Sequence, residues 1–443
     1  MKGDSGLIKS NIKLPYGKNM IELDLQNHNV IDVLKSGNGK AESVRLCEED
    51  IVKKALETPV GKPRLREIIK PGESACIVIS DITRAWQRMN IFLPELVRTL
   101  NEAGVSDQQI TFVCAVGSHR KITEEEGKAL LGEKLSSRFK VINHDCHDSE
   151  NLKFLGTTSF GTKVHVNRLV MENDHIILTG GIVFHDLAGW GGGKKSILPG
   201  ICGYETIMEN HALSLGDNPG DGIHECVRCG SIDGNRLNAD MEEAAKMVNP
   251  SFMLNVIVNS EGKIGAAVAG DYLKAFEEGK RKLDETDRIP IDSLADMVVV
   301  SVGGYPKDIN LYQSTKALSS AKEAVKKGKI ILLLCQCSEG VGHPEVKSLL
   351  ENFDTHMERE MEMRKAFTVS KFAGFLLSQI AEDYQVYCVT DLEPEILEKL
   401  GIQVFQRVED ALKAINKKHG VNLETYIIPS GSNVLPGIRG DKI

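Results

Sequence analysis

Short β-branched segments alternate with amphipathic segments along this chain, and this alternation constrains the fold more than any other feature. Residues 75–80 (ACIVIS) and 111–116 (TFVCAV) have the length and composition of buried strands, and residues 91–103 between them have a helical pattern. Thr123 begins a further helix with the capping box TEEE. A strand followed by a helix, repeated, predicts an α/β fold with parallel sheets.

Length and a polar stretch near residues 286–293 divide this pattern into two domains. A chain of 443 residues exceeds what one hydrophobic core usually supports. We expect an N-terminal α/β domain over residues 1–287, rejoined by the tail 426–443, and a C-terminal α/β domain over residues 293–425. The expected elements of the second domain are strands at 296–302, 329–336 and 385–390 and a helix at 314–327.

Composition and charge exclude several classes of partner. The formal net charge is −8, whereas a nucleic-acid-binding surface needs an excess of basic residues. No apolar run approaches the roughly 20 residues needed to span a bilayer, and no apolar leader follows Met1. The ten cysteines have no framework spacing, which is typical of reduced thiols. The sequence therefore predicts a cytoplasmic protein that binds neither nucleic acid nor membrane.

Two histidines, His119 and His185, each follow a predicted strand directly. Asp81 and Arg84 have the same kind of position after an earlier strand. Because ligands of open α/β sheets bind at the carboxyl ends of strands, these side chains are candidates for general acid/base work and for clamping an anion. The alternatives are two unrelated loop histidines and an ordinary surface ion pair of Arg84.

Glycine is concentrated in residues 185–200 (HDLAGWGGGKKSILPG), where it occupies five of the sixteen positions. Such a backbone can approach a bulky group closely. A phosphate-binding P-loop fails on register, since its second obligatory glycine would fall on Lys194. The apolar residues that continue the segment predict a partly desolvated lysine with a lowered pKa and a nucleophilic amine. A flexible surface loop is the alternative.

One CxxC motif, Cys226 to Cys229, follows His224. A structural zinc site needs four ligands, and a single CxxC supplies two. The clustered residues that could complete such a site are Cys335, Cys337 and His343. Cysteines in a local turn explain the motif better than zinc does.

Three polar residues, Tyr312, Gln313 and Lys316, follow the Gly303-Gly304 turn at a predicted helix start. Gln313 and Lys316 are three positions apart and therefore share one helix face. Taken alone, the three are typical of a solvated first turn.

Together, these motifs closely resemble the nickel-pincer lactate racemase family over most of the chain. The most specific segment is HDLAGWGGGKKSILPGICGYETIMENH, residues 185–211. The other matching segments are LPYGKNMIEL (14–23), SDITRAWQ (80–87), GSHR (117–120), DGNRLNADMEEAA (233–245) and GGYPKDINLYQSTKAL (303–318).

The resemblance implies a cofactor and the residues that hold it. In this family the cofactor is a nickel-pincer mononucleotide (pyridinium-3-thioamide-5-thiocarboxylic acid mononucleotide with nickel), joined to a lysine as a thioamide. By position that lysine is Lys195, and the protein ligand of nickel is His211. Residues expected to bind or support the cofactor are Asp81, Arg84, Tyr312, Gln313 and Lys316.

The resemblance also implies a 2-hydroxy-acid racemase or epimerase, with its active site in the cleft between two α/β domains. The acid/base pair would be His119 and His185, and Arg84 and Lys316 would bind the substrate. Removing the Cα hydrogen as hydride avoids a carbanion beside a carboxylate, and a histidine can take the hydroxyl proton. Returning hydride to either face needs an acid on each side, so two histidines are more informative than one. A small 2-hydroxy acid is the expected partner, together with cofactor-synthesis proteins.

Several positions depart from the family pattern. Lys194 stands where an arginine is frequent, Trp190 stands where a tyrosine is common, and residues 216–230 have the character of an insertion. Asp186 follows His185 where lactate-specific members carry an aromatic residue. A carboxylate facing the substrate would favour hydroxyls beyond C2, as in sugar acids, and disfavour the second carboxylate of malate. An Asp186 that only orients its loop would leave lactate as the default.

Two alternative functions therefore accompany the racemase hypothesis. One is C2 epimerisation of a sugar acid rather than lactate. The other is a non-catalytic binder of the pincer nucleotide or of a hydroxy acid, which would need no acid/base pair.

Overall fold

The structure, a computed structural model, describes residues 11–36 and 46–440. In chain order the strands are β1 (Asn11–Tyr16), β2 (Asn19–Asp24), β3 (Asn29–Val33), β4 (Ala75–Ser80), β5 (Ile110–Ala115), β6 (Val141–Asn143), β7 (Leu152–Thr157), β8 (Lys163–Asn167), β9 (His175–Gly181), β10 (Val183–His185), β11 (Gly189–Gly191), β12 (Phe252–Val258), β13 (Ile264–Gly270), β14 (Arg288–Ile291), β15 (Ala295–Ser301), β16 (Val325–Leu334), β17 (Gln385–Val389), β18 (Gln403–Phe405), β19 (Glu424–Ile428) and β20 (Leu435–Ile438).

The α-helices are α1 (Glu48–Glu57), α2 (Leu65–Ile68), α3 (Met89–Glu102), α4 (Glu124–Leu131), α5 (Glu133–Ser136), α6 (Arg168–Met171), α7 (Tyr204–Ala212), α8 (Arg236–Val248), α9 (Lys274–Asp287), α10 (Leu311–Ala321), α11 (Pro344–Asn352), α12 (His356–Lys365), α13 (Val369–Asp383), α14 (Glu395–Glu398) and α15 (Val408–His419). Short 3₁₀ turns occupy Ile82–Gln87, Asp107–Gln109, Ser149–Asn151 and Gly193–Ser196. Within the described ranges, no helix has both the length and the apolar character needed to cross a membrane. The predicted α/β class is confirmed.

The described residues fall into two compact units. Unit 1 takes residues 11–36, Leu215–Cys229 and 287–440, and unit 2 takes residues 46–214 and Gly230–Thr286.

Unit 2 is built on a six-stranded sheet in the order β13-β12-β9-β4-β5-β6, parallel except for β13. Its central strand β4 is buried on both faces, which explains its unbroken run of apolar residues. Val78 pairs with Val113 on one side and with Leu178 on the other. The carboxyl ends of β9, β4 and β5 therefore lie side by side, and the loops that leave them share one edge of the sheet.

Local signals in unit 2 are those expected from the sequence. The Thr123 hydroxyl accepts the Glu126 N–H at 3.2 Å, and the Glu126 carboxylate accepts the Thr123 N–H at 2.8 Å. This capping box begins α4 where the sequence predicts a helix. Helix α3 begins at Met89, two residues before the predicted start.

Unit 1 has a six-stranded, wholly parallel sheet in the order β18-β17-β16-β15-β19-β3. The predicted strands of this half are present with ends shifted by up to four residues. Helix α10 begins three residues before the predicted start because Asn310 caps it. Oδ1 of the Asn310 side chain accepts the Gln313 N–H at 3.0 Å. The helix ends at Ala321, before the predicted end at residue 327, because the residues from Val325 onward form β16.

The division into units differs from the predicted domains 1–287 and 293–425. Strand β3 pairs with β19, so the N-terminal segment belongs to the sheet of unit 1. The tail also stays in unit 1, because β20 pairs with β14 instead of returning to the first domain. A short, half-buried edge strand such as β3 gives little local signal, and its partner lies almost 400 residues further along the chain.

Candidate active site

The loop after β4 holds a carboxylate against the first predicted histidine. Asp81 is buried, and its Oδ2 lies 2.8 Å from Nδ1 of His119, which follows β5. Its Oδ1 accepts the Thr83 N–H at 2.7 Å and the Thr83 hydroxyl, which caps the 3₁₀ turn at Ile82–Gln87. Burial opposes ionisation of Asp81, but the hydrogen bond from His119, the bonds from Thr83 and the charge of Arg84 keep its pKa below the usual value.

This contact fixes the histidine tautomer. A carboxylate can only accept, so Nδ1 of His119 carries the proton and the lone pair lies on Nε2. The side chain is 44% exposed, which leaves it accessible to a substrate. Asp81 was predicted to support the cofactor. In the structure it contacts Nδ1 of His119, the ring nitrogen remote from Nε2.

The second histidine lies in a tight hairpin after β9. Strands β10 and β11 pair so that His185 faces Gly189 across the turn. Nδ1 of His185 lies 2.9 Å from Oδ1 of Asp186 and 3.1 Å from the backbone nitrogen of Leu187. Burial, and then the positive charge of Lys195, lower the pKa of His185. The negative charge of Asp186 partly offsets this lowering.

Glycines in this hairpin and in the turn that follows it are required by packing within unit 2. A Cβ on Gly189 would come within 2.3 Å of the Ser231 carbonyl oxygen, and one on Gly193 within 2.8 Å of the Phe276 ring. Gly192 has φ +91°, and its Cβ would lie 2.8 Å from both Oδ1 of Asn255 and the Gly181 carbonyl oxygen. The glycine pattern predicted a close approach to a bulky group. At these three positions, the atoms that approach the backbone closely belong to other residues of unit 2.

We expect Gly192→Ala to destabilise unit 2 by about 2–4 kcal/mol, since it adds a backbone clash to an unfavourable φ. Gly161→Ala is the matched control, because Gly161 also has φ +91° but no atom within 4 Å of its Cβ position. Its expected loss is about 1 kcal/mol. Urea denaturation of both variants measures the difference, and equal losses would contradict the packing argument.

Two adjacent lysines in the loop have different surroundings. Nζ of Lys194 is buried and donates to Oδ1 of Asn238 at 2.8 Å and to Glu242 at 3.3 Å. Lys195 is half-buried, and the carboxylate of Asp186 acts to raise its pKa. Burial, helped by Arg84, lowers the pKa of Lys195 to about 8. Burial lowers the pKa of Lys194 as well, but its Nζ donates to Asn238 and Glu242. The nucleophilic lysine predicted for this segment is therefore assigned to Lys195 and stays a prediction.

His211 lies in the last turn of α7 and is buried. Its Nδ1 is 2.9 Å from the Ile207 carbonyl oxygen. A carbonyl only accepts, so Nδ1–H donates and Nε2 keeps the lone pair. Burial, and then the charge of Lys195, lower the pKa of His211 to about 3, so the ring is neutral at physiological pH. A neutral imidazole with its second nitrogen fixed by a carbonyl has the arrangement of a metal-ligating histidine.

Electrostatic coupling joins these residues into one site within unit 2. Lys195 acts on the pKa of both His185 and His211, and Arg84 acts on those of Asp81, His185 and Lys195. The predicted residues of this half are therefore brought together.

The other predicted residues lie at the start of α10 in unit 1. Nζ of Lys316 donates to Oε1 of Gln313 at 2.5 Å, which confirms that the two share a face. The Tyr312 ring lies 5.8 Å from that of His343. Lys316 is exposed, and Tyr312 and Gln313 are half-buried.

Sequence reasoning gave no individual role to three asparagines that hold the loop. Nδ2 of Asn235 donates to the Leu187 carbonyl and Nδ2 of Asn238 to the Ala188 carbonyl, each at 2.8 Å. Oδ1 of Asn255 accepts the Gly193 N–H at 2.7 Å. The signal was present for two of them, because the segment 233–245 contains Asn235 and Asn238 within its family-like motif.

No disulfide involves Cys226 or Cys229 in the CxxC motif, which lies in unit 1. Among residues 11–36 and 46–440, no three His, Cys, Asp or Glu side chains form a cluster that could hold a metal ion.

Unit 2 is thus an α/β unit whose largely parallel sheet has a histidine–carboxylate contact at its carboxyl edge and, in a nearby loop, a lysine of lowered pKa. Comparison with known proteins gives the family. The model of the lactate racemase N-terminal domain matches residues 16–222, and that of the lactate racemase C-terminal domain matches residues 291–435. The chain belongs to the lactate racemase family, and it is an enzyme of the racemase class.

Two curated relatives cover nearly the whole chain. Lactate racemase of Thermoanaerobacterium thermosaccharolyticum is 32% identical, over 96% of this chain and 99% of that protein. Lactate racemase of Lactiplantibacillus plantarum is 28% identical over the same shares.

Solved structures agree with this assignment. The lactate racemase apoprotein from T. thermosaccharolyticum superposes with a TM-score of 0.86 at 31% identity, over 96% of this chain and 99% of that one. A protein from Thermotoga maritima has a TM-score of 0.64 at 19% identity, over 89% of this chain and 99% of that one, and shows the fold alone.

Proposed function

We propose that this enzyme racemises or epimerises a small 2-hydroxy acid, with lactate as the default substrate. The observation that supports this most is the occurrence in unit 2 of His185, Lys195 and His211, which act on one another electrostatically, and of His119, which contacts Asp81. Two histidines suit a reaction that must accept and return a proton on both faces of a planar 2-keto acid. The lactate racemase relatives support the same substrate class.

We further propose that the site takes a nickel-pincer mononucleotide, and two residues fit that group. Lys195, whose pKa is lowered to about 8, offers an amine that can be acylated near neutral pH. His211 offers a neutral imidazole with its lone pair on Nε2, and imidazole is a suitable ligand for nickel. When bound, this cofactor supplies an acceptor for the hydride from Cα.

The chain's own residues supply the remaining chemistry. We assign binding of the substrate carboxylate to Arg84, because of its charge and planar donors, and to Lys316. Nε2 of His119 accepts the hydroxyl proton from one enantiomer, and His185 does so from the other. Loss of the hydroxyl proton together with a hydride leaves a neutral ketone beside the carboxylate, so charge and electrons balance.

The contacts of Asp186 support a short substrate over a sugar acid. Its Oδ1 lies against His185 and accepts the Leu187 N–H at 3.1 Å, which is the loop-orienting alternative. We expect turnover of lactate to exceed that of gluconate or malate in the nickel-loaded enzyme. Chiral chromatography of the three acids tests this, and gluconate as the best substrate would favour the epimerase. Ten cysteines without a disulfide support a cytoplasmic location.

We expect His211→Ala to lose bound nickel while keeping the mass added at Lys195, because the two residues hold different parts of the cofactor. The protein is purified from cells that make the cofactor, and nickel content and intact mass are measured. His147→Ala, an exposed histidine outside the site, is the control and should keep both. An unmodified wild-type chain without nickel in such cells would contradict the cofactor proposal, and cofactor without turnover of any hydroxy acid would favour a non-catalytic binder.

A further inference from the structure

Both acid/base histidines have a carboxylate at the same ring nitrogen. Oδ2 of Asp81 lies 2.8 Å from Nδ1 of His119, and Oδ1 of Asp186 lies 2.9 Å from Nδ1 of His185. The two carboxylates come from different loops, one after β4 and one inside the β10–β11 turn. The sequence alone suggested separate roles for them, one toward the cofactor and one toward the substrate.

Asp186 should influence the tautomer of His185 more than Asp81 influences that of His119, because other hydrogen-bond donors compete at His185. The backbone N–H groups of Leu187 and Ala188 also point at Nδ1, at 3.1 and 3.4 Å. Two donors at Nδ1 favour the tautomer with a lone pair on Nδ1 and the proton on Nε2. In that tautomer Nε2 can donate a proton but cannot accept one.

The carboxylate of Asp186 acts in the opposite sense. Its Oδ1 lies 2.9 Å from Nδ1 and can only accept, so it favours a protonated Nδ1 with the lone pair on Nε2, and its negative charge stabilises the imidazolium. The other charged or titratable groups acting on His185 are Lys195, Arg84 and His211. Lys195 and Arg84 disfavour the imidazolium, so Asp186 is the acidic group that counters them.

We propose that Asp186 is a positioning residue that keeps His185 in its base-competent tautomer, as Asp81 does for His119. The inference rests on the proposed function for its catalytic consequence. A racemase must deprotonate either enantiomer, so its two bases need the same tautomer. This chain meets that requirement with two histidine–carboxylate pairs of nearly equal length.

The test separates the tautomer from the activity. The full-length protein is labelled with ¹⁵N-histidine, and the ring nitrogens of His185 are assigned by their disappearance in His185→Gln. We expect the wild type to show the proton on Nδ1. Asp186→Leu removes the acceptor at similar volume and should move the proton to Nε2, whereas Asp186→Asn keeps an acceptor oxygen and should retain much of the wild-type pattern. Glu172→Leu, at an exposed carboxylate of the same unit, is the control.

Kinetics of the nickel-loaded variants give the second readout. We expect Asp186→Leu to lower kcat by about 10²–10⁴-fold with little change in KM, and Asp186→Asn to lower it less. Unchanged nitrogen shifts and kcat in Asp186→Leu would overturn the inference. Absence of hydroxy-acid turnover in the loaded wild type would instead overturn the proposed function, and the tautomer comparison would still decide the pairing.

Discussion

Replacing either His119 or His185 with alanine is expected to abolish interconversion of the two substrate enantiomers in both directions. One histidine accepts the hydroxyl proton and the other returns a proton on the opposite face, so each full turnover uses both. Losing a general acid or base costs about 10²–10⁴-fold in rate. Because the two residues act in series, the double variant should be scarcely slower than either single variant.

The measurement is the approach to racemic product from each pure enantiomer, followed by chiral chromatography. His165→Ala, a histidine of unit 2 whose ring packs against Phe154, is the control and should racemise normally. A single-turnover experiment adds a sharper distinction, since conversion of one enantiomer to enzyme-bound keto acid can survive when only the return step is blocked. Full racemisation by His119→Ala would remove that residue from the mechanism.

Replacing Lys195 with alanine is expected to eliminate the covalent cofactor and with it all turnover. The neighbouring lysine gives a matched control, because Nζ of Lys194 is occupied by Asn238 and Glu242. Lys194→Met should therefore keep the added mass on the intact chain. Loss of the adduct from Lys194→Met, with its retention in Lys195→Ala, would reverse the assignment of the two lysines.

The lowered pKa of Lys195 also predicts how attachment depends on pH. An amine with a pKa of about 8 is roughly one-tenth neutral at pH 7, about 300-fold more than a lysine at its usual value of 10.5. The attachment rate should rise about tenfold for each pH unit below 8 and level off above it. Arg84→Met removes a nearby positive charge and should move this midpoint upward. Time-resolved intact mass at several pH values measures the rate.

The sequence indicated which residues of unit 2 the fold brings together, because most of their signals are local. Asp81 and His119 lie in loops that follow strands, and Lys195 lies in the glycine-rich segment, and parallel strands bring such loops to one edge. His211 lies in α7 and was identified from the family resemblance of residues 185–211. The histidine contacts of Asp81 and Asp186 were not predictable, since they depend on which ring nitrogen each carboxylate meets in three dimensions. The compact units differ from the predicted domains for the same reason, because β3 pairs with β19, which is far away in the sequence.

That pairing has a consequence for biosynthesis. Residues 29–33 leave the ribosome early, yet they must wait for residues 424–428 before they can join a sheet. Unit 2 is complete once Thr286 has emerged, so it can fold while unit 1 is still being made. The N-terminal segment, which includes Leu14 and Leu23 of the core of unit 1, stays exposed during that interval. A fragment that starts at residue 287 would lack this edge strand and these core residues, so the C-terminal half should be expressed only together with the chain that precedes it.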